Sequence, residues 1–437
     1  MNAVDFECAP PPTRVGRLLL VPMHITSLNA VVRIDARGSD AVVDATMVYE
    51  VGPTTGHPFF DLRQKVDRCW LDGAPVHPTD VAPHDVGEPG QYSSVRVMAA
   101  AQQARSAHTV RFVYRLATPR SDLGGAYPPV LSFCAGPRVR WSFGMADLYA
   151  GRYLESWFPA NLPFDHFPFT LGLTVTGTDV PHTLTTNGGV TVTETNRWTV
   201  TFPAWFTAMS PLLELHAADH VQMASATAAL PISGRAITIT AVKFAGDDAN
   251  LATLPPRIER LLAEQERRYG AFTGDSYVCL LHGAAGGMEY AHATTTSESA
   301  LHHEVIHSWF GRGVTPASSA DGWWDEGFTR YLETGQTAEE LDFSAPPVEL
   351  CSRRTLQRTT DRRSYEVGSM VFRGIAAIVG RDRLLESMRE LYDARRKRSI
   401  STAALEAHLI TSTGAVELAD VFHRFVYGFE GPRPTAQ

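Results

Sequence analysis

Cysteine is scarce in this chain of 437 residues. Cys8, Cys69, Cys134, Cys279 and Cys351 are scattered, odd in number and never in C-x-x-C spacing. That excludes a disulfide framework and fits reduced thiols, so a cytoplasmic location is expected. Long apolar runs are missing too. The opening MNAVDFECAPPP lacks a positive segment leading into an apolar one, and the run LLLVP is too short to cross a bilayer. No membrane association is expected. Nor is there a surplus of positive charge, with 39 Lys and Arg against 47 acids and a net charge of -8. A general nucleic-acid binder, which needs a basic surface, is therefore excluded. No internal repeat and no low-complexity segment occurs.

What is present is ordinary globular composition, 44% hydrophobic and 20% charged, in a chain too long for one small core. The first half reads as strands. AVVRIDA, AVVDATMVYEV, SSVRVMA and HTVRFVYRL alternate or run in β-branched residues, separated by Pro/Gly clusters such as PVHPTDVAPHDVGEPG. FTLGLTVTG, HTLTTNGGVTVTE and RWTVTFP continue the pattern, with Asn187-Gly188 a hairpin signal. An antiparallel β-sandwich or saddle is expected. After Pro231 the texture changes. AITITAVKF and DSYVCLLHG read as strands and GGMEYAHATT as an extended edge, whereas PPRIERLLAEQERRYG and the chain beyond Ser297 have helical spacing. The boundary is expected near 225–232, dividing the chain into 1–228 and 229–437. Between Cys351 and Ile400, twelve Arg and one Lys face six acids. This stretch reads as solvated helix faces or as a basic rim on a site.

The chemistry concentrates in LHHEVIHSWFGRGVTPASSADGWWDEGFTRYLETG. His303 and His307 are four apart, one helical turn, so both imidazoles lie on one face and can reach one ion. Glu304 sits beside the first of them, free to address a water. Glu326 follows at the start of a second predicted helix, which a loop of that length lets fold back onto the first. Two histidines and one carboxylate leave a position open, the arrangement of a catalytic zinc site rather than a structural one. His302 points about 100° away from His303 and reads as a core or supporting residue.

HEVIHSWFG followed by WWDEGFTRYLE resembles the aminopeptidase N and leukotriene hydrolase family of gluzincin zinc peptidases. LHGAAGGMEY resembles that family's Gly-x-Met-Glu-Asn strand, with Tyr290 in place of Asn, and SYEVGSM its Tyr-Glu-x-Gly motif. The resemblance covers about residues 20–430. It implies an α+β multidomain fold, an N-terminal antiparallel β-domain followed by a thermolysin-like catalytic domain of mixed sheet plus helices. It also implies one Zn2+ on His303, His307 and Glu326, Glu304 as general base, and Tyr365 as donor to the oxyanion. Glu289 would pair with the substrate's free α-amino group, and Gly286, Gly287 and Met288 would complete the substrate strand. Asp147 and Glu155 are the candidates for the family's second amine-binding carboxylate.

The expected function is removal of an N-terminal residue from a peptide. The alternatives are hydrolysis of an internal or non-standard amide, and a non-catalytic peptide-binding scaffold. The family's longer members carry a helical domain that roofs the site. Since the chain stops at Gln437, an open cleft is expected, with Arg353 to Arg398 favouring peptides acidic downstream of the cut.

Overall fold

Alternation of apolar and polar residues sets the first half. In Met23–Asp35 and Asp40–Val51 every second side chain is buried, so each strand offers one face to a core. The two pair antiparallel from Asp35↔Asp40 to Met23↔Val51. The computed structural model describes residues 6–86, 94–119, 127–354 and 356–431. Residues 87–90 of the Pro/Gly cluster and Ser93 lie outside the described residues.

These strands are the centre of an eight-stranded sheet. Its pairings are antiparallel except one, in which Phe169–Thr176 runs parallel to Met23–Asp35. The long chain excursion between them makes the parallel crossover possible. A four-stranded sheet, Val130–Cys134, Arg138–Ser142, Leu213–Ala217 and His182–Thr186, shares its core with the larger one. Asn187-Gly188 is not a hairpin turn. His182–Thr186 joins the four-stranded sheet and Gly189–Glu194 the eight-stranded one, so the pair carries the chain between sheets. Asn187 Nδ2 donates to the carbonyls of Ser210 and Ala291, and its Oδ1 accepts from Leu212 N. Those three long-range bonds outweigh local turn preference. The hairpin lies one strand later, at Asn196, whose φ is +63°.

The second half is built on a mixed sheet: β1 (Val221–Ala229), β2 (Ala236–Phe244), β3 (Ser276–Leu281), β4 (Gly287–Tyr290) and β5 (Ala293–Thr296), in the order β1-β2-β3-β5-β4. β4 is the edge strand and runs antiparallel to β5. All of β1's ladder is made with β2. We therefore propose to draw the domain division at the short turn Ala218–His220, ahead of β1, rather than at 228/229.

Helix α1 (Leu254–Tyr269) starts on Pro255 and Pro256, where no amide partner is needed, and stops at Gly270, φ +101°. It buries Ile258, Leu261, Leu262, Gln265 and Tyr269 along one face. Then follow α2 (Leu301–Ile306), α3 (Trp323–Glu333), α4 (Glu366–Val379), α5 (Arg381–Arg395), α6 (Thr402–Thr413) and α7 (Leu418–Phe425). Gly380 and Gly414, both at positive φ, break the helical run. Met288 and Tyr290 of β4, with Ala291 and Ala293, belong to the N-terminal core cluster, so the mixed sheet is docked edge-on against the first domain. Among the described residues no helix is long and apolar enough to cross a membrane.

Candidate metal centre

α2 is one and a half turns long, and His307 is its C-terminal cap, still in helical geometry at φ -58°. The two imidazoles therefore stay one above the other, with ring centroids 4.8 Å apart. The chain then turns through Phe310–Val314 and α3 folds back. Asp321 holds that return, accepting from Ser318 Oγ and from the backbone N of Thr402. α3 is buried on almost every side, and its first turn presents Asp325 and Glu326 to the histidines.

Nitrogen and oxygen atoms of His303, His307 and Glu326 come within 4.8 Å of one another. Glu326 Oε2 lies 3.3 Å from His303 Nε2 and 3.6 Å from His307 Nε2. The outer nitrogens are held by acids. His307 Nδ1 donates to Asp325 Oδ1 at 2.5 Å, and His303 Nδ1 lies 3.4 Å from Glu333 Oε2. These outer partners orient the rings so that both Nε2 atoms face inward, toward Glu326. His307 Nε2 is buried with no hydrogen-bond partner. An orphaned imidazole nitrogen facing a carboxylate and a second imidazole fits a three-ligand zinc site with one open position. A second acidic group, Glu289, His307 and Asp325, is equally compact. It does not fit a metal, because the Arg312 guanidinium lies 2.5 Å from Glu289 and 3.7 Å from Asp325 and is the cation there.

Around this group is a cavity of about 530 Å³ lined by Asp147, Glu289, Glu304, Tyr365, Met288 and Tyr127, among others. Glu304 is buried, and its Oε2 has no partner. Burial, with Glu289 and Glu326 adding to it, pushes its carboxyl up to about 8 against the pull of His303 and His307. Gly287 lines the cavity. A Cβ there would sit 2.5 Å from Glu304 Oε1, so the glycine makes room for that carboxylate. Gly286, at φ +89°, supplies a left-handed turn into β4.

Thirty-eight residues separate Glu326 from Tyr365, yet the Tyr365 hydroxyl donates to Glu326 Oε1 at 2.7 Å. The reason lies at the crossing of the two helices, one residue past Glu326 and three past Tyr365. Gly327 of α3 faces Gly368 of α4, and a Cβ on Gly327 would lie 2.8 Å from Gly368 Cα. Two glycines at the crossing let the helices touch and bring their N-terminal ends together. Burial and the nearby Glu326 and Asp147 raise Tyr365 well above the usual phenol range, so it remains a donor.

Of the two candidate carboxylates in the first domain, the structure brings only Asp147 to the cavity. Burial, then Glu326 and Glu289, push it well above the ordinary carboxylate range, and Thr360 N holds its backbone carbonyl. Glu155 is turned away and bound by Arg358 at 2.9 Å. Met288 both lines the cavity and joins the N-terminal core. The Arg-rich stretch is not a rim on the site. Arg358 is buried against Asp61 and Glu155; Arg363, Arg373, Arg383 and Arg396 pair with local acids. No arginine of 353–398 is among the residues lining the cavity, whose arginines are Arg152 and Arg330. Sequence reasoning missed Asp325, Glu333 and Arg312. Asp325 had a signal, since a metal-binding imidazole needs an acceptor for its other nitrogen. Glu333 had a fainter one, seven residues after Glu326 on the same helix face.

A β-rich domain docked on a mixed-sheet domain with helices is the architecture found in a two-domain M1 zinc metallopeptidase. The chain has that fold. It superimposes on the M1 zinc metallopeptidase of Deinococcus radiodurans with TM-score 0.69 at 19% identity, over 94% of this chain and 96% of that one. A glutamate-to-alanine mutant of an M1 zinc metallopeptidase from the same organism, bound to a Tyr-Ser-Ala substrate, gives 0.67 at 19%, over 95% and 96%. Aminopeptidase A of Legionella pneumophila with aspartic acid gives 0.66 at 13%, over 95% of this chain and 51% of that one. Yeast LTA4 hydrolase gives 0.63 at 16%, over 94% and 69%. No sequence-family model and no curated protein matches the chain.

Proposed function

We propose that this chain is a zinc-dependent aminopeptidase. One observation carries the reading: His303, His307 and Glu326 converge within 4.8 Å, and His303 and Glu326 line a cavity with Glu304 and with two further acids, Glu289 and Asp147. Zinc held by the first three would act as a Lewis acid on the scissile carbonyl and make an attacking water more acidic.

The remaining work falls to side chains. Glu304, poised near neutral pH, takes the water's proton at its unpartnered Oε2 and returns it to the leaving amine. Tyr365 keeps its own proton and donates to the carbonyl oxygen as negative charge develops there. Glu289 and Asp147 receive the substrate's ammonium, which would be costly to bury without anions. β4 is the edge strand of its sheet, and Gly287, Met288 and Glu289 on it line the cavity that would receive an extended peptide. The rival, cleavage of an internal or non-standard amide, is favoured by the fact that Glu289 already has Arg312 as a partner.

Aminoacyl fluorogenic amides assayed beside N-acetylated counterparts test the reading. The free amines should be cleaved at least about tenfold faster, since stripping a partner from a buried charge costs about 2–5 kcal/mol. Equal rates would replace it with the internal-amide reading.

A further inference from the structure

Arg312 is fully buried and does not line the cavity, yet it reaches both of the cavity's functional halves. Its Nη2 donates to Glu289 Oε1 at 2.5 Å and its Nε to the Glu289 carbonyl at 3.3 Å. Its Nη1 donates to the Gly311 carbonyl at 2.7 Å and lies 3.7 Å from Asp325 Oδ2. The other oxygen of Asp325 holds His307 Nδ1. A continuous chain, Glu289–Arg312–Asp325–His307, thus runs behind the cavity wall. Local backbone serves it: Gly311, at φ +123°, could not carry a Cβ, which would lie 2.3 Å from Asp325 Oδ1.

We propose that Arg312 is the positioning residue that ties amine recognition to metal holding. This rests on the aminopeptidase reading for the amine half alone. On one arm, the guanidinium takes Glu289 Oε1 and its own carbonyl, fixing the side chain so that Oε2 is left for the ammonium. On the other, its Nη1, 3.7 Å from Asp325 Oδ2, keeps that carboxylate turned toward His307, whose Nε2 then faces inward. A planar fork with five donors can serve two carboxylates and two carbonyls at once; an ammonium on a flexible stem cannot. Arg312 touches neither substrate nor metal, so its effect passes through Glu289 and Asp325.

The test compares Arg312→Lys and Arg312→Gln with Glu289→Gln and Asp325→Asn in the full chain. Zinc affinity is read by competition with a chelator, and KM and kcat with a free-amine aminoacyl amide. Arg312→Lys, which retains the buried charge and spares the fold, should weaken zinc about 10–100-fold, as losses in the outer shell do. It should also raise KM more than it lowers kcat. In the Asp325→Asn background it should add no further loss of zinc, and in the Glu289→Gln background no further rise in KM. Wild-type zinc affinity and KM in a folded Arg312→Lys, or full additivity in both backgrounds, would overturn the proposal and leave Arg312 a packing residue. If Arg312→Gln does not fold, the lysine variant and the two backgrounds still decide. The zinc arm involves no peptide. A failure there is therefore separate from a failure of the aminopeptidase reading, which appears as equal cleavage of free and acetylated substrates by the unmutated protein.

Discussion

His303 is held between two carboxylates. Burial acts to lower its pKa, but hydrogen bonds to Glu326 and Glu333 outweigh it and raise the imidazole to about 10. The partners move the opposite way. Glu326 falls below the usual carboxylate range and Glu333 to about 2. A metal needs the neutral ring, so zinc must displace a proton from His303 at every pH below about 10. Apparent zinc affinity should then rise with pH, by roughly tenfold per unit for each proton displaced. Chelator competition between about pH 6 and about pH 8 measures this. A flat profile would mean that the ring is already neutral and that Glu333 does not hold it as described. At this scale the sequence was most informative: ligand spacing follows from helix geometry, and Glu304 from its place beside His303. Arg312 was not legible, because nothing local marks which basic residue of a loop will be buried.

At the level of the element, the site depends on the crossing of α3 and α4. The motif glycine, Gly368, reads in sequence only as part of a pattern; in the fold it faces Gly327 at a contact too close for any side chain. Gly327→Ala should destabilise the protein by about 1–3 kcal/mol, the usual cost of overpacking. It should also shift Tyr365 away from Glu326. Its kcat should fall toward that of Tyr365→Phe, expected to be about 10²–10³ below wild type. Thermal unfolding and steady-state kinetics on the two variants check both halves. A Gly327→Ala protein with normal kcat would separate the helix crossing from the chemistry. The helices and their breaks at Gly380 and Gly414 were readable because amphipathic period and left-handed glycine are local properties. Asn187-Gly188 was misread for the converse reason, its hydrogen bonds lying far away in the chain.

Across the whole molecule, the cavity is shared property. Asp147 and Tyr127 come from the first domain, the metal group from the second. Arg358 joins them, buried with Asp61 at 2.6 Å and Glu155 at 2.9 Å, while Thr360 N beside it holds the Asp147 carbonyl. The positive run that looked like a surface in the sequence thus contains the pin of the domain interface. Composition gives charge, and only the fold tells where the counter-charges fall. Arg358→Met should cost about 3–5 kcal/mol, since it strands two buried acids. It should raise KM for free-amine substrates as Asp147 loosens, with zinc content unchanged. Unfolding by urea, with kinetics and elemental analysis on the same sample, tests this; an unaltered midpoint would move the pin elsewhere.

The central claim is that one centre holds zinc on His303, His307 and Glu326 and that Glu304 works beside it as the base. Elemental analysis and turnover measured together on three proteins test it most directly. The unmutated chain should carry about one zinc and hydrolyse aminoacyl amides. Glu304→Gln should carry the same zinc and lose nearly all turnover, whereas His307→Ala should lose both. Ordinary activity in Glu304→Gln, or turnover in a His307→Ala protein free of zinc, would contradict it.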